Sequence, residues 1–174
     1  MDFNAGAAIS AGLVGTAVMT AVLYMGIAIM PRQMKMNLLY MLGTMMIRSK
    51  SAAYVMGTMM HASMGIVFAL VHTGLCQALG LETGLAAWGL LFGFTHWIIV
   101  GMGLGMIGGM HPLMRAGELQ APGLFVKNYP MMTIGGFLML HLLYGLVVGV
   151  LYEAWAFGAA IAAPRWTRWR PDLA

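Results

Sequence analysis

The sequence predicts an all-α fold: an integral membrane four-helix bundle that takes up residues 1–174 as a single domain. Three observations predict it. Hydrophobic residues make up 61% of the chain and charged residues only 8%, too little charge to cover the surface of a soluble domain. The apolar residues fall into four segments, each long enough to cross a hydrocarbon core about 30 Å thick with some tilt. A weak internal similarity at an offset of 80 residues divides the four into two repeated helix hairpins.

The first span covers residues 5–30 and stops at Pro31-Arg32, where proline removes a backbone donor. The preceding MDFNAGAAIS lacks the basic stretch of a cleavable signal peptide, so the first helix is expected to be kept. In the connection that follows, the apolar stretch 38–47 is too short to cross and has Arg48 and Lys50 behind it. That predicts a short interfacial or re-entrant helix. The second span, 52–80, and the third, 84–109, are separated only by the turn around Gly80-Leu81-Glu82-Thr83 and are expected to form an antiparallel hairpin. The third ends at His111-Pro112, and a loop with Pro122-Gly123 leads to the fourth, 131–163, which stops at Pro164-Arg165. Cys76 is the sole cysteine, so no internal disulfide forms.

Nine Lys and Arg stand against five Asp and Glu, and the basic residues lie in the connections and the tail. That placement suits lipid headgroups, and no basic and aromatic cluster suggests nucleic acid. Arg32, Lys35, Arg48, Lys50, Arg115 and Lys127 fall on one side, and Arg165, Arg168 and Arg170 on the other. The positive-inside rule then places the long loops in the cytoplasm and both termini in the periplasm of a bacterial inner membrane. The tail, in which Trp166 and Trp169 alternate with arginine, is the competing signal, since it reads equally as a cytoplasmic anchor.

In the repeat, HASMGIVFALVH from His61 aligns with HLLYGLVVGVLY from His141. His61 matches His141, Gly65 matches Gly145, His72 matches Tyr152, and Met30 matches Met110. Two parallel hairpins related by an axis along the membrane normal are expected, an arrangement that transporters use with sites at the repeat interface. Glycine spacing predicts the packing. Gly89, Gly93, Gly101, Gly105 and Gly109 recur in register, interrupted by Trp97, and Gly145 and Gly149 repeat the motif in the fourth span. Small residues at this spacing let helices approach closely, within the chain or in a homo-oligomer.

His61, His96 and His141 lie roughly 9 to 13 residues from the nearer ends of their segments, which at about 1.5 Å per residue is near mid-membrane. Ionisable groups there face a bundle interior or a cavity and are functional candidates by default. The bland alternative is an interhelical hydrogen bond for each. His72 follows His61 by 11 residues on nearly the same face and is expected about 16 Å away toward the opposite surface, while His111 is expected at the interface. Met60 and Met64 flank His61, and the chain holds 20 methionines. Thioethers with imidazole suit Cu(I), imidazole alone suits Zn, and methionine also serves as plain apolar filler. Tyr152 and Glu153 are secondary candidates near the end of the fourth span. No HExxH, paired buried carboxylates, Ser/His/Asp set or phosphate-binding glycine loop is present, which disfavours an enzyme.

The segments HASMGIVFALVH, AAWGLLFGFTHWIIVGMGLGM with His111-Pro112 after it, and HLLYGLVVGVLYE give the chain a resemblance, over about residues 55–155, to YagU-like and related small bacterial inner-membrane proteins. The resemblance implies four helices and an inner-membrane location, and no reaction.

The leading expectation is a membrane protein that binds or helps to move a small cation, transition metal or proton, at His61, His96 and His141. One alternative is a structural or assembly subunit of a larger respiratory or photosynthetic complex. Another is a haem-b anchor with two histidines as axial ligands. Topology is directly testable. Reporter fusions at Ala174 and within residues 116–126 are expected on opposite sides of the membrane, and a shared side refutes the four-span arrangement.

Overall fold

The computed structural model describes residues 3–158, and every regular element in them is helical. Four helices are long and apolar enough to cross a membrane: Ala5–Ile29 (α1), Lys50–Ala78 (α3), Leu85–Met110 (α4), and Met131–Phe157, which is α6 (Met131–Tyr152) followed by one π turn. Two short helices join them, α2 (Leu38–Thr44) and α5 (Pro112–Arg115), with a 3₁₀ turn at Leu124–Val126. The spans agree with the expected ones to within about two residues at the ends described here. The end of the fourth span beyond 158 and the Trp-Arg tail lie outside the described residues.

Local chemistry sets the helix ends. Asn4 caps α1 by accepting from the Ala7 amide at 2.9 Å. Gly80 and Gly84 take φ of +67° and +68° in the turn between α3 and α4, a conformation that other residues adopt only with strain. The Glu153 carboxylate accepts from the Gly84 and Leu85 amides at 3.3 and 2.7 Å, capping α4 from the end of the fourth span. Asn37 caps α2 and also accepts from the Tyr24 hydroxyl and donates to Tyr54, at 2.7 and 2.6 Å, so one amide ties α1, α2 and α3 together.

The packing order differs from the chain order. α1 lies against α3 and α6, α6 lies against α1 and α4, and α3 and α4 barely meet along their backbones despite the short turn between them. The hairpin expected of the second and third spans is therefore corrected. α4 packs most closely on α6, and α1 packs on α3 and on α6 to a similar extent. Of these contacts, α1 with α3 and α4 with α6 join helices that begin at residues 5 and 50 and at 85 and 131. These are the two halves of the repeat. The physical reason lies in the side chains. Small residues line the facing surfaces within each pair, whereas Phe68, His72, Phe92 and His96 stand between α3 and α4, with Phe68 stacked on His96 at 3.5 Å.

The glycine seam is internal. A methyl group on Gly89 would run into the Gly145 carbonyl, one on Gly145 into the Gly89 carbonyl, and one on Gly149 into the Leu85 carbonyl. The α4 and α6 backbones thus touch with no side chain between them, which is how helices associate where hydrophobicity gives no driving force. Beyond Trp97 the ridge changes partner: Gly101 meets the Phe125 ring and Gly105 the Leu124 side chain, so a loop covers it. Gly109 has nothing within 4 Å, and its expected packing role is corrected. α2 docks on α3 in the same way as the main seam, with Gly43 against the Ala53 carbonyl and Gly57 against the Leu39 carbonyl.

Gly89→Leu or Gly145→Leu forces two backbones apart, an overpacking that costs about 1–3 kcal/mol or more. Both variants are expected to lower the unfolding temperature of the purified protein markedly, whereas Gly109→Leu leaves it near the parent's. Equal behaviour of all three would show that the seam is not a close contact.

Candidate functional site: a histidine- and methionine-lined cavity

Because α3 and α4 stand apart, a cavity of about 330 Å³ opens inside the bundle toward the end that carries α2. All four spans, α2 and the segment before it line the cavity. Most of the wall is apolar. Polar atoms come from His61, His96, His141, Thr16, Thr133 and Tyr144. The three histidines expected near mid-membrane therefore border one space, each on a different helix and each no more than 7% exposed.

The hydroxyl protons in this wall are already committed. Thr16 donates to the Gly12 carbonyl and Thr133 to the Gln33 carbonyl, both at 2.7 Å, and Tyr144 donates to the Gly65 carbonyl. The histidine tautomers follow by the same accounting. Thr20 donates its one proton to the Thr16 carbonyl at 2.7 Å, so at 3.1 Å from His61 Nδ1 its oxygen can only accept. His61 thus carries its proton on Nδ1 and a lone pair on Nε2. His141 Nδ1 lies 2.7 Å from the Phe137 carbonyl, which only accepts, so His141 takes the same tautomer. Among the described residues no hydrogen bond reaches either Nε2, and neither is a buried orphan. Two residues equivalent in the repeat therefore offer the cavity the same bare nitrogen, each ring held from behind.

His96 is placed differently. Its ring touches His141 edge-on at 4.8 Å and His72 at 5.7 Å, and its Nδ1 is buried without a partner. Among the described residues no group of three or more His, Cys, Asp or Glu side chains is arranged to hold a metal ion. His72, expected toward the opposite surface, is 4% exposed and stands in the core beside His96, Phe92 and Tyr144. α3 runs unbroken from His61 to His72, so the 11-residue spacing still separates them by about 16 Å along the helix, and His72 is buried because α3 and α4 meet through long rings at this level. His111, expected at the interface, is fully buried. Its Nδ1 accepts from the Leu113 amide at 3.2 Å, so Nε2 holds the proton and donates to the Met41 carbonyl at 2.9 Å. His111 is thus a latch between α5 and α2, with the opposite tautomer to the cavity histidines.

Of the remaining candidates, Met64 lines the cavity and Met60 does not. Tyr152 is buried among Phe3 and Phe157, and Glu153 is the cap of α4. Tyr144 and Thr20 carry no sequence signal of their own. Only the positions of Gly65 and His61 give them a role. No protein-family model, curated protein or solved structure matches this chain.

Removing the latch takes the His111 hydrogen bond from the Met41 carbonyl, which keeps the Thr44 hydroxyl at 3.2 Å as its donor, and a lost bond of this kind costs about 0.5–1.5 kcal/mol. His111→Ala is expected to speed amide hydrogen exchange in α2 and in residues 112–119, with no comparable change around Gly145. Unchanged exchange in α2 would show that His111 does not hold it.

Proposed function

We propose that this is a multi-pass protein of a bacterial inner membrane that binds a small cation in the membrane interior, at the cavity bordered by His61, His96 and His141. One observation carries the reading: His61 and His141, equivalent in the two halves of the repeat, both hold Nδ1–H in a hydrogen bond and leave Nε2 free beside the same cavity. Ion-binding imidazoles are oriented in this manner by an acceptor behind the ring. Neither Nε2 is spent on a hydrogen bond within the described residues, and neither is sealed away as a buried orphan, so both lone pairs remain available to a ligand.

The other two readings draw less support. A subunit held to partners by its glycine ridge would need that ridge on the outside, but Gly89, Gly93, Gly145 and Gly149 face one another within the chain. A bis-histidine haem needs room for a macrocycle between two imidazoles. His96 is already in edge contact with His141 and with His72, which leaves no such gap in either pair.

Purified protein equilibrated in turn with Cu(I), Ag(I), Zn(II) and Ni(II) is expected to retain about one ion of at least one kind per chain. His61→Ala and His141→Ala should each lower occupancy sharply, while His111→Ala retains it. If none of these ions is retained in a His61- and His141-dependent way, the cavity is not a metal-ion site.

A further inference from the structure

We infer that the ion is the soft monovalent Cu(I), held by Nε2 of His61, Nε2 of His141 and the thioether of Met64, and that cavity methionines form its route to that site. This rests on the cation reading above and narrows it to one class of ion.

Charge comes first. The cavity wall has no carboxylate and no thiolate, and the one cysteine, Cys76, is not in it. Every group available to an ion there is neutral. The penalty for placing an ion in a medium of low dielectric rises with the square of its charge, so an uncompensated divalent ion is about four times worse than a monovalent one in the Born picture. Structural and catalytic zinc sites draw on thiolate, imidazole or carboxylate in sets of three or four, and no group of three His, Cys, Asp or Glu side chains is so arranged among the described residues.

Donor softness points the same way. Once the hydroxyl protons are accounted for, the wall offers two oriented imidazole lone pairs and thioether sulfur. Thioether and imidazole together suit Cu(I) and do little for Mg, Ca or Zn. Met64 lies on α3, three residues from His61, so both project to one face of the helix. In the second half of the repeat the position equivalent to Met64 is Tyr144, whose hydroxyl is turned away to the Gly65 carbonyl. The repeat therefore brings two imidazoles and one thioether to the lining of one cavity.

The route follows from where the other sulfurs lie. Met45 and Met110 stand at the α2 end of the cavity, with Met110 66% exposed. Met34 and Met36 come next, in the segment between α1 and α2, and Met19 and Met64 line the wall deeper in the membrane. An ion passing inward exchanges one thioether for the next without shedding or gaining charge, and reaches the two imidazoles at the inner end.

The test uses the full-length purified protein and Cu(I) delivered from a bicinchoninate competition. Wild type is expected to bind one Cu(I) per chain, to accept Ag(I) in its place, and to resist displacement by Zn(II). X-ray absorption of the Cu(I) form should show nitrogen and sulfur neighbours together. Met64→Leu removes the sulfur at similar volume and is expected to weaken Cu(I) binding about tenfold or more, and Thr20→Val, which frees the His61 ring, about 10–100-fold. Thr20→Ser should restore it. If Met64→Leu does not fold, the sulfur signal of the wild-type spectrum decides. Preference for Zn(II) over Cu(I), or bound Cu(I) with no sulfur neighbour, overturns the inference and leaves the cation reading standing. Absence of any His61- and His141-dependent ion removes both.

Discussion

Direct backbone contact between α4 and α6 is the constraint on which the arrangement depends. Helices in a bilayer gain little from pressing apolar side chains together, because lipid is as apolar as leucine. Association has to come from close approach, and Gly89, Gly145 and Gly149 allow carbonyls to meet the facing backbone. A looser version, with Gly12 and Gly65 beside Ala69 and Thr16, joins α1 to α3. Each half of the repeat is thus closed by its own small residues. Nothing equivalent exists between α3 and α4, where four aromatic or imidazole side chains take the place of glycine.

The cavity is the consequence of that asymmetry. If the two halves were related by a true two-fold axis, the contact of α1 with α6 would recur between α4 and α3. It does not: the first is close and the second is open. Tyr144 secures the closed side. It leaves α6, crosses α1 at Gly15 and donates to the Gly65 carbonyl of α3, joining three helices through one side chain. On the open side the gap is bridged by rings near His72 and His96 and becomes a void toward α2. α2, tied by Asn37 and His111, then forms one end of it.

Polar groups in such a setting are few, and each has an assignable partner or an evident lack of one. The threonines and Tyr144 return their protons to backbone carbonyls. His111 is fully used between α5 and α2. His61 and His141 are half used, each fixed at Nδ1 and open at Nε2. Among the described residues, His72 Nδ1, His96 Nδ1 and Trp97 Nε1 are the buried side-chain atoms with no hydrogen-bond partner. Two of these three belong to the imidazole pair at the crossing of α3 and α4. Of the three residues, His96 lines the cavity, and His72 stands beside it with the rings 5.7 Å apart.

The sequence by itself determined the class and the elements: four apolar segments, their ends at Pro31, Gly80 to Gly84 and Pro112, the short helix near residues 38–47, and the 80-residue repeat. These are local properties, set by run length and by residues that interrupt helices, so composition and spacing suffice to read them. It also singled out the histidines, because an ionisable group in a long apolar run stands out without any structure. Which helices touch was decided only in the folded chain. A short turn at residues 80–84 argues for a hairpin, but contact is set by matching surfaces, and the glycines of α4 fit those of α6 better than anything on α3. The same fit placed His72 in the core, left Gly109 facing open space, and turned Glu153 from a candidate into a helix cap. Tautomers lie further still from the sequence, because the bare Nε2 of His61 exists only because Thr20, 41 residues away, has already given its proton to Thr16.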